Sequence, residues 1–135
     1  MAALSQTAVN CHLYSNSVIE LVQAGEAMTI GNQCYLKAAD SKYYKGSNTG
    51  SAEATTKGMV SSPVPAADVY FVLCKSGSFN PGATMAVGEL YTVGVAGAII
   101  PDSDLATGNF PTTLGRAKTA SELPLAINAS GVAHA

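Results

Sequence analysis

Charged side chains are scarce in this chain, and their scarcity limits the classes of function that the chain can have. Asp, Glu, Lys and Arg make up 12% of 135 residues, against about 25% in a typical soluble domain. The net charge of −2 argues against a nucleic-acid partner, because phosphate neutralisation needs a basic face. A weakly charged surface is easily desolvated, and interface cores are depleted in charge. The composition therefore favours a protein covered by other proteins, with a weakly charged monomeric β domain as the alternative.

Long apolar runs and paired cysteines are also missing. No stretch approaches the roughly 18 apolar residues of a membrane span, and the first residues show neither the basic nor the apolar region of a secretory signal. Cys11, Cys34 and Cys74 form neither a disulfide framework nor a zinc pattern. We therefore expect no membrane partner and a protein made in a reducing cytoplasm.

Thirteen glycines and six prolines cut the sequence into short apolar runs, which predicts a single all-β domain, a small barrel or sandwich. The strongest strand signal is Asp68–Lys75, whose continuous apolar character indicates burial on both faces. Turns are predicted at 46–48, 76–78, 80–82 and 101–102. The other predicted strands are Gln33–Ala38, Lys42–Lys45, Gly58–Ser61, Leu90–Val93, Ala98–Ile100, Leu114–Lys118 and Leu123–Ile127.

An internal repeat supports a body built from two similar β-turn-β halves. Two separated blocks recur at one offset (82 − 25 = 57): Gly25, Met28 and Gly31 as Gly82, Met85 and Gly88, and Thr55, Thr56 and Gly58 as Thr112, Thr113 and Gly115. Each glycine pair precedes a tyrosine, Tyr35 or Tyr91, with one residue of slippage. The pattern predicts two glycine turns around an inward-facing methionine, followed by a strand.

Both ends differ in composition from the middle of the chain. Residues 1–19 lack glycine and charge, which predicts an extended N-terminal arm that orders on a partner, or a frayed terminus. Residues 20–127 are predicted as the β domain, and residues 128–135 as a C-terminal tail. Deleting residues 2–16 is accordingly expected to weaken assembly without unfolding the body.

The residues that most often carry chemistry are poorly placed for it. His12 and His134 lie in the two predicted ends, whereas a catalytic histidine needs a rigid partner. Cys11 and His12 are adjacent, so they point to opposite sides of an extended segment. The run Asp102-Ser103-Asp104 with Gly108 lacks the remaining ligands of a calcium loop and is typical of a turn. We predict no catalytic, cofactor-binding or metal site, and a protein that is not an enzyme.

The segment Lys42-Tyr43-Tyr44-Lys45 interleaves basic and aromatic residues, as single-strand nucleic-acid binders do. Nearby Asp40 dilutes the positive charge. We expect an exposed hairpin edge that lysines protect from sheet aggregation, or a contact patch for an acidic partner.

Five elements of the second half form a recognisable series of strands and turns: Gly88–Tyr91, Ala96–Pro101, the loop at Gly108, Leu114–Ala117 and Leu123–Leu125. In these elements the chain resembles the head-decoration, or cement, proteins of tailed bacteriophages. The resemblance extends over about residues 25–132. It implies a β-barrel or sandwich that binds the major capsid protein on the outer face of an expanded capsid. It also implies a homo-oligomer, typically a trimer, located on the virion and assembled in the host cytoplasm.

Two other classes remain open. A β-module of a phage tail or surface structure would bind a carbohydrate or host receptor through exposed aromatics, and the chain has no Trp, six Tyr and three Phe. A swinging-arm carrier domain would need a lysine at a tight hairpin tip between hydrophobic residues, and no lysine has that setting.

Overall fold

A computed structural model describes residues 4–7 and 10–134. These residues form strands in two antiparallel sheets, with a short α-helix, α1 (Ser51–Ala54), and a 3₁₀ turn at Asp102–Asp104. The all-β prediction is confirmed. The strands are β1 (Cys11–Leu13), β2 (Val18–Gln23), β3 (Gln33–Lys37), β4 (Lys42–Lys45), β5 (Thr56–Val60), β6 (Tyr70–Pro81), β7 (Leu90–Val93), β8 (Ile99–Pro101), β9 (Thr112–Arg116), β10 (Leu123–Leu125) and β11 (Asn128–Ala129).

Strand β6 is the central strand of the larger sheet. The path β1-β6-β5-β3-β4 runs through this sheet, and β2 and β10 also pair with β6. The smaller sheet has the order β11-β9-β7-β8. Because β6 is twelve residues long, it has room for β1 and β2 in succession on one side and for β5 and β10 along its length.

The turn predicted at 76–78 is wrong, because β6 continues through it to Pro81. Gly77 has a positive φ of 80° within the strand, a conformation that glycine adopts without steric penalty. A Cβ on Gly77 would lie 2.1 Å from the carbonyl oxygen of Asn16. The glycine therefore allows a close backbone approach within a strand instead of ending it.

The other predicted strands are present. Lys42–Lys45 and Leu90–Val93 match the observed limits, and the rest differ at one or both ends. Strands β1, β2 and β11 were not predicted. They are short or interrupted by polar residues, so neither alternation nor a continuous apolar run identifies them.

The internal repeat is present as a structural repeat with the predicted offset. Strand β3 pairs with β5 as Gln33↔Met59, Cys34↔Gly58 and, after a register shift, Tyr35↔Thr56. Strand β7 pairs with β9 as Leu90↔Arg116, Tyr91↔Gly115 and, after the same shift, Thr92↔Thr113. Every member of the second set lies 57 positions after its counterpart. Tyr91 therefore corresponds to Cys34, and the predicted Tyr35–Tyr91 correspondence is replaced by this register.

Backbone hydrogen bonds repeat in the same way. Gly31 N–H donates to Val60 O at 2.9 Å, and Gly88 N–H donates to Ala117 O at 2.8 Å. The first half runs from β2 to the start of β6, and the second runs from the end of β6 to β10. Strand β6 thus ends one half and begins the other, a connection that the sequence pattern did not reveal.

The body has two hydrophobic cores, one mainly in each half, and Met59 of the first half belongs to the second core. The first-half core contains Val22, Ala24, Met28, Cys34, Val60, Phe71 and Leu73. The second-half core contains Met59, Cys74, Phe79, Met85, Tyr91, Val93, Ile99, Leu114, Ala117, Leu123 and Leu125. Successive strand residues point to opposite faces, so Leu73 enters the first core and Cys74 the second. Both faces of β6 are therefore buried at Leu73 and Cys74, but Tyr70 and Lys75 are exposed, so the predicted burial on both faces holds for only part of the strand.

Buried polar groups join the two halves. The amide of Gln33, fully buried, donates to Gly46 O at 3.0 Å and to Ala98 O at 3.2 Å, and its oxygen accepts from the Thr56 hydroxyl. Gln33 N–H also donates to Gly97 O at 3.0 Å. Buried polar groups require such partners, so this side chain fixes how the β7–β8 hairpin sits on the first half.

The described N-terminal residues pack on the body, so the chain does not divide at residue 19. Strand β1 pairs with β6, and Val18 and Ile19 begin β2. Leu4 N–H donates to Ile99 O at 2.8 Å, and Gln6 donates to Gly31 O at 2.8 Å. Residues 11–13 and 18–19 of the predicted arm therefore lie in the sheet. Deleting residues 2–16 removes β1, so we now expect a loss of stability instead of an intact body.

The predicted tail also contacts the body. Strand β11 pairs with β9, and His134 N–H donates to Asn109 O. The boundary expected at residue 128 therefore falls within paired structure. Among the residues described, no helix is long and apolar enough to cross a membrane.

Candidate interaction surface

The exposed apolar residues concentrate on β2, at an edge of the larger sheet. Val18, Ile19 and Leu21 are 52%, 53% and 66% exposed. Ile19 and Leu21 project from the same face, opposite Cys74 and Val72 of β6. Scattered exposed apolar residues are ordinary, but contiguous ones mark contact surfaces. We call Val18, Ile19 and Leu21 with Tyr70, which is 55% exposed, the β2 strip.

Charge near the β2 strip is small and paired. Glu20 lies between the apolar residues, and its carboxylate is 3.3 Å from the Lys75 ammonium. Both side chains are about half exposed, so this pair contributes little stability. It does compensate the single charge on β2, which leaves the strip close to neutral.

Strand β4 forms the opposite edge of this sheet, as predicted for the Lys42–Lys45 segment. Lys42 pairs with Asp68, and this hydrogen bond raises the pKa of the lysine. Strand β4 is partly covered, because Gly25 N–H donates to Tyr43 O at 2.8 Å. The Lys42 charge is therefore paired within the chain, which weakens the interpretation of this segment as a patch for an acidic partner.

The outer face of β3 and β4 carries a pair of tyrosines. The rings of Tyr35 and Tyr44 are 6.3 Å apart with a 39° interplanar angle, and Lys37 Nζ lies 4.8 Å from the Tyr44 ring centroid. The Tyr44 hydroxyl donates to Asp40. That hydrogen bond raises the pKa of Tyr44 to about 12 and lowers that of Asp40. The Lys37 ammonium lies over the Tyr44 ring, which leaves less of that ring free to contact a ligand.

The histidines and Cys11 are not arranged for catalysis. His12 Nε2 lies 3.1 Å from the Asn80 amide nitrogen, and Cys11 Sγ lies 3.1 Å from Pro81 O. Burial raises the pKa of Cys11, which opposes thiolate formation. His134 is held at the far end of the chain by Asn109. The structure therefore does not bring these three residues together.

The Asp102–Asp104 segment is a 3₁₀ turn, and Gly108 N–H donates to His134 O at 2.8 Å. Within residues 4–7 and 10–134, no group of three or more His, Cys, Asp or Glu is placed to hold a metal ion. In this turn Asp102 and Ser103 are exposed and Asp104 is partly buried.

An open polar groove of about 370 Å³ lies beside the N-terminal segment. Its described lining supplies hydroxyls, amides and backbone groups: Ser5, Thr7, Asn10, Asn80, Gly82, Ala83, Thr84, Ala120 and Ser121. The exposed apolar β2 strip is the stronger candidate for a contact with another protein.

Comparison with known proteins adds no further constraint, since no family model, curated protein or solved structure matches the chain.

The β2 strip was not predicted from the sequence, because Glu20 and the polar residues before Val18 interrupt the apolar pattern of the strand. The run Val-Ile-Glu-Leu-Val is rich in β-branched residues, and this was the one signal that could have identified it.

Proposed function

We propose that the protein is a structural component of a phage virion that binds the outer surface of the capsid and stabilises the expanded shell. The observation that carries the proposal is the β2 strip, an apolar sheet edge on a chain with only 12% charged residues. Such a surface loses little solvation when another protein covers it. The resemblance to cement proteins supplies the identity of that partner, the major capsid protein.

Stabilising a shell does not require a tight individual site. Many copies bridging neighbouring capsid subunits multiply modest contacts. The small net charge limits repulsion between adjacent copies. The same reasoning supports self-association on the capsid, with the trimer as the state that the resemblance implies.

The test is co-sedimentation with expanded heads that lack this protein, prepared from the phage or prophage that encodes it. We expect saturable binding at a fixed ratio to the capsid protein, together with a higher head melting temperature. Binding that does not saturate, or saturation without any change in melting temperature, contradicts a cement role.

A second candidate is recognition of a carbohydrate or host receptor, and the Tyr35–Tyr44 pair is the observation that favours it. Aromatic faces beside carboxylates such as Asp40 are suited to ligand contacts. A glycan screen with a Tyr35→Ala variant as control distinguishes the two. Glycan binding that is lost in the variant, without head binding, favours this second function.

A further inference from the structure

The backbone of β2 directs alternate hydrogen-bonding groups away from the sheet. Ala24 N–H donates to Val69 O at 2.9 Å on the β6 side, whereas Gly25 N–H donates to Tyr43 O on the other side. Backbone groups alternate along a strand, so Ile19 and Leu21 direct their N–H and C=O groups outward. Among the described residues, only β6 pairs with β2 as a strand, and the bridge to β4 begins at Ala24.

Two edge strands of the larger sheet, β2 and β4, differ in how they are protected. Natural edge strands are protected by lysine, proline or a covering segment. Strand β4 carries Lys42 and Lys45 and is bridged by Ala24. Strand β2 has neither lysine nor proline, and the side chains of Val18, Ile19 and Leu21 face solvent. An open apolar edge of this kind is suited to the addition of another strand.

We propose that β2 accepts an extended strand of the capsid subunit, which adds antiparallel to the sheet along Val18–Val22. This inference rests on the proposed function and specifies how the attachment is made. Main-chain hydrogen bonds to Ile19 and Leu21 hold the incoming strand, and its apolar side chains cover the β2 strip.

The fold contains an internal precedent for such a strand. In the repeat, Val22 corresponds to Phe79, since the two lie 57 positions apart. Phe79 belongs to the part of β6 that pairs antiparallel with β1, a strand of three uncharged residues. The second half therefore already binds a short uncharged strand at an edge related by the repeat to that of β2.

Charge distinguishes a foreign strand from a second copy of this chain. A symmetric antiparallel pairing confined to Val18–Val22 places Glu20 directly opposite its own copy, and like charges at that position are destabilising. A register shifted towards Ala24 meets β4. A shift the other way meets the turn in which Ser17 N–H donates to Tyr14 O. The partner strand is therefore apolar opposite Ile19 and Leu21 and carries no acid opposite Glu20.

Two substitutions at one position separate backbone pairing from side-chain contact. Leu21→Ala and Leu21→Pro both remove the apolar side chain, but only proline removes the outward N–H, which proline can do at an open edge. In co-sedimentation with the expanded heads, we expect Leu21→Ala to weaken binding about tenfold and Leu21→Pro to weaken it at least tenfold further. Val87→Ala is the matched control, because Val87 is 69% exposed and outside β2, and it should bind like the unaltered protein.

Hydrogen exchange of the unaltered protein provides a second measurement that does not depend on folding of the proline variant. The amides of Ile19 and Leu21 should exchange quickly in the free protein and become protected on heads. Heads that bind the protein while these amides remain unprotected overturn the strand addition alone. Failure of the unaltered protein to bind heads overturns the proposed function, and this inference with it.

Discussion

Substitution of the two repeat-related glycines by alanine tests the register that defines the fold. A Cβ on Gly58 would lie 2.3 Å from the carbonyl oxygen of Cys74, and one on Gly115 would lie 2.2 Å from that of Pro124. Ordinary contacts of this kind are at 3.4 Å or more. Each alanine must therefore displace a paired backbone by about 1 Å next to a packed core.

The expected cost follows from these distances. Overpacking a core costs about 1–3 kcal/mol, so Gly58→Ala should lower the free energy of unfolding by about 2–3 kcal/mol. Gly115 also has a φ of 146°, and such a backbone adds about 1–3 kcal/mol for a residue with a Cβ. Gly115→Ala should therefore cost about 3–6 kcal/mol, a large part of the 5–15 kcal/mol that stabilises a typical domain.

Urea unfolding followed by far-UV circular dichroism measures both values. With a slope of about 1–3 kcal/mol/M, a loss of 3 kcal/mol lowers the midpoint by about 1–3 M. Gly108→Ala is the control, since Gly108 has a φ of 91° and no atom within 4 Å of a Cβ. It reports the backbone cost without the clash. If Gly58→Ala changes stability by less than about 0.5 kcal/mol, the close strand approach is refuted.

Three further predictions concern the interior and the tyrosine pair. Gln33→Leu should cost about 2–4 kcal/mol in urea unfolding, because carbonyls at the junction of the halves lose their donor; a neutral result refutes the bridging role. In native protein at pH 8, a thiol reagent should modify only the half-buried Cys11 at a measurable rate and the two buried thiols after unfolding; immediate reaction of all three contradicts the described packing. Tyr44→Phe should raise the pKa of Asp40 towards its ordinary value of 3.8, measured by carboxyl NMR titration. Because the hydrogen bond lowers the pKa of Asp40 in the folded protein, its contribution to folding stability is present above pH 3.8 and is lost as the pH falls through that lower folded pKa. An unchanged Asp40 titration in the variant contradicts the hydrogen bond.

The repeat shows which features of this fold the local sequence pattern predicts. Glycines and threonines at a constant offset predicted two similar β halves, since turns with positive φ and their flanking strands depend on nearby residues. The pattern misaligned Tyr35 with Tyr91. Burial decides this correspondence: Tyr91 occupies the core position of Cys34.

The ends of the chain show where composition misleads. Residues 1–19 appear arm-like because they lack charge and glycine, yet β1 and β2 lie along β6. The stabilising partner is far away in the sequence, 66 residues in the pair Leu13↔Phe79 and 49 residues in the pair Val22↔Phe71. Strand stability depends on such cross-strand neighbours more than on intrinsic preference, so a short local segment does not reveal it.

The sequence by itself determined the all-β class, most strand positions, the two halves and the low charge that favours a covered surface. These features depend on local turn chemistry, residue preference and composition. Only the tertiary structure decided that β6 passes through Gly77 to join the halves, that the N-terminal residues complete the larger sheet, and that β2 is the open edge. Those features depend on which distant segments pair, because a backbone donor or acceptor is satisfied by position in space and not by neighbours in sequence.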